Sequence, residues 1–310
     1  MLNFFEKLSL FQSDKVIEAY DYPAGHTNKI SEHWFVSSLS SVLLIFLGSY
    51  IGTFYNKFVN PESFTGGWST VLFYCQTICI LIIALLFMGI TKNNRVFLKY
   101  IRPGQYGNSF SSFICWLIIG VLTNAICVLC AYLFGGIKFD IGPINPLAII
   151  AGFGAIVVQA CSEEVIFRCY LFKKLQRKYK MPILSIALSA AIFSVIHTLN
   201  PGVNVLMLTN VFLSGIIMSM IVFYWNSFWA AVSFHAAWNF TQNIIFGLPN
   251  SGYVSDLHIF KLCGTIESSF AYNTTVGIEG SVTAVIIQLF VVILLIIIGE
   301  IKMKKVKYAS

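Results

Sequence analysis

The sequence predicts an all-α membrane protein, a polytopic bundle of about eight transmembrane helices with both termini in the cytoplasm. Of its 310 residues, 57% are hydrophobic and only 11% are charged, and the mean hydropathy is +0.78. Soluble domains carry about 25% charged and 45–50% apolar residues. The composition therefore excludes a soluble enzyme. It also excludes intrinsic disorder, which requires low hydrophobicity and high charge.

Eight apolar stretches are long enough to cross a bilayer, which takes about 20 residues. They lie at about 35–55, 69–90, 112–134, 147–172, 182–199, 203–224, 228–247 and 281–300. The predicted organisation is an N-terminal tail (1–34), a bundle (35–300) and a basic tail (301–310). The N-terminal tail contains five acidic residues and no apolar core, so it does not read as a secretory signal.

The positions of the basic residues predict the orientation of the bundle. Seventeen of the 20 Lys and Arg lie in the two tails and in the stretches 91–111 and 168–181, which are expected on the same side, and the other three are Lys57, Lys138 and Lys261. Because basic residues near span ends stay in the cytoplasm, both termini are expected inside and the loop 248–280 outside. The net charge of +7 then faces an anionic membrane surface and does not indicate nucleic-acid binding.

Three of the spans contain nearly all the ionisable residues that lie deep in the membrane. Span four contains Glu163, Glu164 and Arg168, span five contains His197, and span seven contains His235. Such residues are costly in a bilayer and usually functional. A purely structural polar cluster is the alternative, although these more often use Ser, Thr or Asn. The concentration predicts one shared polar site.

Helix geometry divides the roles of these residues. Glu164 and Arg168 are four apart and can form an ion pair on one face, whereas Glu163 is turned by about 100° from Glu164. His235 and Asn239 are also four apart and share a face. At about 1.5 Å per residue these groups lie about 10–22 Å from the cytoplasmic surface, so they can meet there or near the bilayer centre.

The residue types suit hydrolysis of an acyl bond. Glu163 can accept a proton from water as a general base. The side chains of His197, His235 and Asn239 can either bind a metal ion or donate hydrogen bonds to a developing oxyanion.

Three motifs resemble those of the CPBP family of intramembrane proteases, also called the Abi family, which includes CAAX prenyl proteases and bacteriocin-processing enzymes. The motif EExxxR occurs at 163–168, FxxxH at 193–197 and HxxxN at 235–239. The catalytic core is expected at about 147–247. One departure is Cys169, where the family often has Gly after the Arg.

The resemblance implies an intramembrane endopeptidase in which Glu163 activates water and His197, His235 and Asn239 complete the site. These four residues are also the candidate ligands for zinc or another divalent metal, with a metal-free glutamate mechanism as the alternative. Implied partners are the lipid bilayer and a peptide or membrane-protein substrate. A bacterial plasma membrane is expected, with bacteriocin processing or immunity as the process served.

Two other functions remain open. A bacteriocin-immunity or regulatory binding protein could keep the same fold without catalysis. A secondary transporter would also place charge in the membrane, but usually with Gly- or Pro-broken spans and repeated halves.

Overall fold

The computed structural model describes residues 8–12, 30–179, 181–263 and 267–309, and within these it is mostly helical. The α-helices are α1 (Trp34–Val59), α2 (Trp68–Cys75), α3 (Ile78–Ile90), α4 (Phe110–Phe134), α5 (Pro146–Glu164), α6 (Lys173–Lys178), α7 (Pro182–Ile196), α8 (Val205–Trp225), α9 (Phe228–Phe240) and α10 (Val282–Ala309). Two short strands, β1 (Lys138–Ile141) and β2 (Phe260–Cys263), pair antiparallel with Lys138 opposite Cys263. The predicted helical class is confirmed.

Among the described residues, seven helical runs are long and apolar enough to cross a membrane. They are Trp34–Ser63, Trp68–Ile90, Phe110–Phe134, Pro146–Lys178, Pro182–Leu199, Val205–Trp225 and Val282–Lys304. Large apolar side chains on the outer surface of the bundle are exposed, such as Phe46, Leu129 and Ile297. In a bundle of this kind such a surface faces lipid. The protein is therefore an integral, multi-pass membrane protein.

The seventh predicted span, 228–247, is not among these seven runs. It corresponds to α9, which continues as a π-helical segment from Thr241 to Ile245. Its polar residues lower its hydropathy, yet most of its side chains are buried because α9 packs against α4 and α5. A helix enclosed by protein does not need an apolar surface on every side, since its polar groups find partners on neighbouring helices.

Close packing around α9 depends on a glycine in α4. A Cβ atom built on Gly120 would lie 2.7 Å from the backbone oxygen of Phe234 and 2.7 Å from Cβ of Ala237. Neither backbone could give way without shifting a helix. Any larger residue at this position would therefore push α4 away from the helix that carries His235.

Part of the predicted N-terminal tail packs on the bundle. The backbone N–H of Ser9 donates to the Glu300 carboxylate at 2.9 Å, and the Tyr224 hydroxyl donates to the same carboxylate at 3.0 Å. Leu10 is buried beside them. The rest of the predicted tail, at 1–7 and 13–29, lies outside the described residues. The described part of the N-terminal segment thus lies against the last helix.

The orientation of the termini stays a prediction and can be measured by cysteine labelling. With native cysteines replaced by Ala, Ser268→Cys should react with an impermeant maleimide on intact cells, and Gln105→Cys only after permeabilisation. Both residues are exposed. The predicted topology places them on opposite sides of the membrane. Labelling of Gln105→Cys, and not of Ser268→Cys, on intact cells would show that the orientation is the reverse of the predicted one.

Candidate active site

A cavity of about 560 Å³ lies inside the bundle. Its walls come from α5, α7, α8 and α9, from the break between α2 and α3, and from the loops around Asn250 and Glu279. Four residues predicted from the sequence line it, namely Glu163, His197, His235 and Asn239. The structure thus brings together side chains from three helices that the sequence separates by up to 76 positions.

Glu163 lines this cavity, and its two carboxylate oxygens have different surroundings. Its Oε1 accepts a hydrogen bond of 2.6 Å from Nε2 of Gln159, one turn earlier in α5. Within the described part of the chain, Oε2 has no hydrogen-bond partner and lies 3.9 Å from Nε2 of His235. One oxygen is therefore fixed by Gln159, while the other is a buried acceptor without a hydrogen-bond partner.

Both histidines have Nδ1 engaged by an oxygen atom. In His197, at the end of α7, Nδ1 lies 2.7 Å from the backbone oxygen of Phe193. In His235, Nδ1 lies 2.9 Å from Oε1 of Glu164. Because a carbonyl or an ionised carboxylate only accepts, Nδ1 carries the proton in each ring. The lone pair of a neutral ring is then on Nε2.

Glu164 and Arg168 form an ion pair behind the cavity wall. Their closest atoms are 3.1 Å apart and both side chains are fully buried. Arg168 also donates to the backbone oxygen of Gly215 at 3.2 Å, and its guanidinium lies 4.4 Å from the centre of the Phe193 ring. Since Glu164 contacts His235 as well, the pair orients a histidine, which the spacing in the sequence does not predict.

Gln159 is a site residue that the sequence analysis missed. Nδ2 of Asn239 donates to its Oε1 at 2.9 Å, and its own Nε2 donates to Glu163. This chain of amides links α9 to the carboxylate on α5. A search for ionisable residues passes over a neutral amide, but its position four residues before Glu163 places it on the same helix face.

Phe193, the aromatic residue of the FxxxH motif, lies at the centre of the cluster. Its ring centre is 4.7 Å from that of His197 and 6.1 Å from that of His235. It also covers the guanidinium of Arg168. The aromatic residue of this motif therefore shields the buried ion pair from the cavity.

A comparison with protein families identifies the central segment. The family described as type II CAAX prenyl endopeptidase Rce1-like matches residues 145–241. This segment is similar to that family. It contains all three motifs, and the predicted resemblance to the CPBP family is confirmed over this range. No curated protein sequence and no solved structure shows significant similarity to the chain.

The Rce1-like match supports a membrane protease of the CAAX type. The match begins just before α5 and ends just after α9, so it covers every residue predicted for the site. Glu279 and the loop around Asn250 lie beyond it, although they line the same cavity.

The donor types of the Rce1-like site suit a divalent metal. Nε2 atoms of His197 and His235 and the unpartnered Oε2 of Glu163 are typical ligands, and metal-binding histidines usually have their other nitrogen held by an oxygen. Among the described residues, however, no three His, Cys, Asp or Glu side chains are grouped closely enough to hold an ion. The donors would have to draw together around a metal.

Proposed function

We propose that the protein is an intramembrane endopeptidase in which Glu163 activates water for hydrolysis of a peptide bond. The observation that carries this proposal is Oε2 of Glu163, a buried acceptor without a partner among the described residues, which lies 3.9 Å from Nε2 of His235 in the wall of the cavity. A buried carboxylate oxygen without a partner is costly unless a ligand or water occupies the space next to it.

The chain's own residues supply a complete proton path. Oε2 of Glu163 takes a proton from water while the water oxygen bonds to the carbonyl carbon of the substrate. The π electron pair of the carbonyl moves to its oxygen and gives a tetrahedral oxyanion. That pair then re-forms the C=O bond while the electrons of the breaking C–N bond go to the leaving nitrogen, which takes the proton back from Glu163. Gln159 holds the carboxylate in position throughout. In this series of steps a single carboxyl group acts first as the general base and then as the general acid.

His197 and His235 face the developing oxyanion. A metal held by their Nε2 atoms would polarise the substrate carbonyl. Without one, each Nε2 must carry a proton to donate a hydrogen bond, and the Glu164 carboxylate beside His235 stabilises that charged form.

Gln159→Met should lower kcat by about ten- to a hundredfold and leave KM nearly unchanged. Met fills a similar volume but donates no hydrogen bond, so the Glu163 carboxylate loses its fixed orientation. The measurement is steady-state cleavage of a peptide by purified protein, with the exposed Gln105→Met as the matched control. An equal loss in both variants, or a loss confined to KM, would contradict a positioning role.

Asn239→Asp should separate the metal from the metal-free mechanism. The change removes the hydrogen bond that Asn239 donates to Gln159 and places a carboxylate in the cavity. A carboxylate is a good metal ligand, so a metal enzyme keeps partial activity, which a chelator abolishes and zinc restores. In a metal-free site the negative charge opposes the oxyanion and activity collapses.

The control for this change is Asn145→Asp at the start of α5, where the side-chain oxygen caps the helix and Asp caps equally well. Cleavage is measured for both variants with and without chelator and added zinc. Full activity of Asn239→Asp in chelator would contradict both forms of the mechanism.

The substrate is expected to be a peptide precursor or a membrane protein of a bacterial plasma membrane, with bacteriocin processing or immunity as the process served. Peptides released from membranes that contain the wild type, compared with membranes that contain Glu163→Gln, test the function and identify the substrate. Identical peptide profiles at equal protein levels would overturn the protease. They would favour an immunity or regulatory binding protein on the same fold.

A further inference from the structure

Glu279 is a buried carboxylate at the loop end of the cavity. It lies in the short 3₁₀ turn Ile278–Gly280, just ahead of α10, and is only 4% exposed. Its side chain nevertheless lines the same cavity as Glu163. None of the three sequence motifs includes it, and the mechanism above does not use it.

The charge of this carboxylate is not balanced by the protein. Within the described ranges, no Lys or Arg lines the cavity and no ion pair includes Glu279. Its Oε2 accepts a hydrogen bond of 2.8 Å from the backbone N–H of Ser251. A buried carboxylate without a nearby cation is strongly disfavoured, so the position favours a positively charged ligand.

A second acceptor lies next to this carboxylate. Asn250 precedes Ser251 in a turn closed by paired backbone hydrogen bonds between Asn250 and Tyr253, each 2.9 Å long. Asn250 is 4% exposed and lines the cavity, and its Oδ1 has no hydrogen-bond partner among the described residues. A buried acceptor without a donor, close in the chain to a residue that binds a buried carboxylate, suits a group that carries several N–H bonds.

Burial raises the pKa of Glu279 to about 7, and the hydrogen bonds from Ser251 and Trp238 and the charge of His235 only partly oppose this. A cation beside the carboxylate would favour the ionised form. Near neutral pH, the binding of a positively charged group beside Glu279 would therefore shift this carboxyl group to its ionised form.

We propose that Glu279 and Asn250 bind the side chain of a Lys or Arg residue of the peptide substrate. An ammonium or guanidinium group donates to both acceptors and neutralises the carboxylate. This inference rests on the proposed protease function and names a substrate feature for the same cavity. If Glu279 served only to hold the Ser251 turn, a neutral acceptor of the same shape would replace it fully.

Peptide binding tests the subsite without turnover. Binding affinity is measured with the Glu163→Gln variant and apolar peptides of about 20 residues. The peptides come in sets of three that differ only in having Lys, Gln or Glu at one position, and this position moves along the peptide from set to set. At one position we expect Lys to bind at least about tenfold more tightly than Gln, and Glu more weakly than Gln. Adding Glu279→Gln should reduce the Lys preference to less than about twofold, whereas Glu279→Asp should keep most of it.

Glu62→Gln is the matched control, since it removes an exposed carboxylate that does not line the cavity. Its Lys preference should equal that of the parent. In the parent, the preference for the Lys peptide over the Gln peptide should also rise between pH 6 and pH 8 as Glu279 ionises. This rise should be steeper than the rise in the variant that also carries Glu279→Gln. Among the described residues, the ionisable groups that this variant keeps in the cavity wall are His197, His235, Tyr74 and Tyr253.

Equal binding of Lys and Gln peptides at every position, or the same preference with and without Glu279→Gln, would overturn the subsite. The proposed function fails by a different result, namely cleavage by Glu163→Gln at the wild-type rate or identical peptide profiles in membranes. The binding ratio does not depend on cleavage, so the two failures are distinguishable.

Discussion

Glu163→Gln is expected to lower kcat/KM for peptide cleavage by about 10²–10⁴, the usual effect of losing a general base. Gln has nearly the same size and still accepts the hydrogen bond from Gln159, but it cannot take a proton from water. The fold should therefore survive while the chemical step fails. The measurement is cleavage of one peptide by equal amounts of purified wild-type and variant protein.

The matched control is Glu267→Gln, which removes an exposed carboxylate in the loop before α10. Its rate should equal that of the wild type. Near-normal cleavage by Glu163→Gln would exclude Glu163 as the base, whatever the metal content of the preparation.

Arg168→Gln should destabilise the protein by about 3–5 kcal/mol and reduce its level in membranes, because Glu164 is then a buried charge without its cation. The double change Glu164→Gln with Arg168→Gln should accumulate to a higher level than Arg168→Gln alone. Both variants lose the contact with Gly215 and the stacking on Phe193, so the comparison isolates the charge of Glu164.

Membrane levels and thermal unfolding in detergent measure the difference. The double variant should still cleave poorly, because Glu164 no longer carries the charge that orients and supports His235. If the double variant were less stable than Arg168→Gln, the ion pair would not be the main contribution of these residues.

Seven of the eight predicted spans coincide with helical runs that are long and apolar enough to cross a membrane, because a lipid-facing helix must be apolar along most of its length. The spacing of Glu164 and Arg168 predicts their contact for a similar reason, since a helix brings residues four apart together. Contacts between elements are harder to predict. The bond from His235 to Glu164 depends on how α9 packs against α5, which no local pattern encodes.

Two members of the cavity wall were missed for different reasons. Gln159 carries no charge, so the cost of burying a charge does not single it out. Glu279 lies in a loop far along the chain, where an acidic residue is ordinarily exposed to water. Only the folded chain shows that the turn before α10 points this carboxylate into the bundle.

The enclosed position of α9 also has a consequence for biogenesis. A segment that contains His235, Asn239 and the polar run Thr241–Asn243 partitions poorly into lipid alone. Gln242 and Asn243 find partners in Asn124 of α4 and Tyr74 of α2, both made earlier in synthesis. The translocon would thus release α9 efficiently only when α2 and α4 are already in the membrane. Insertion of α9 would therefore come late and depend on the helices before it.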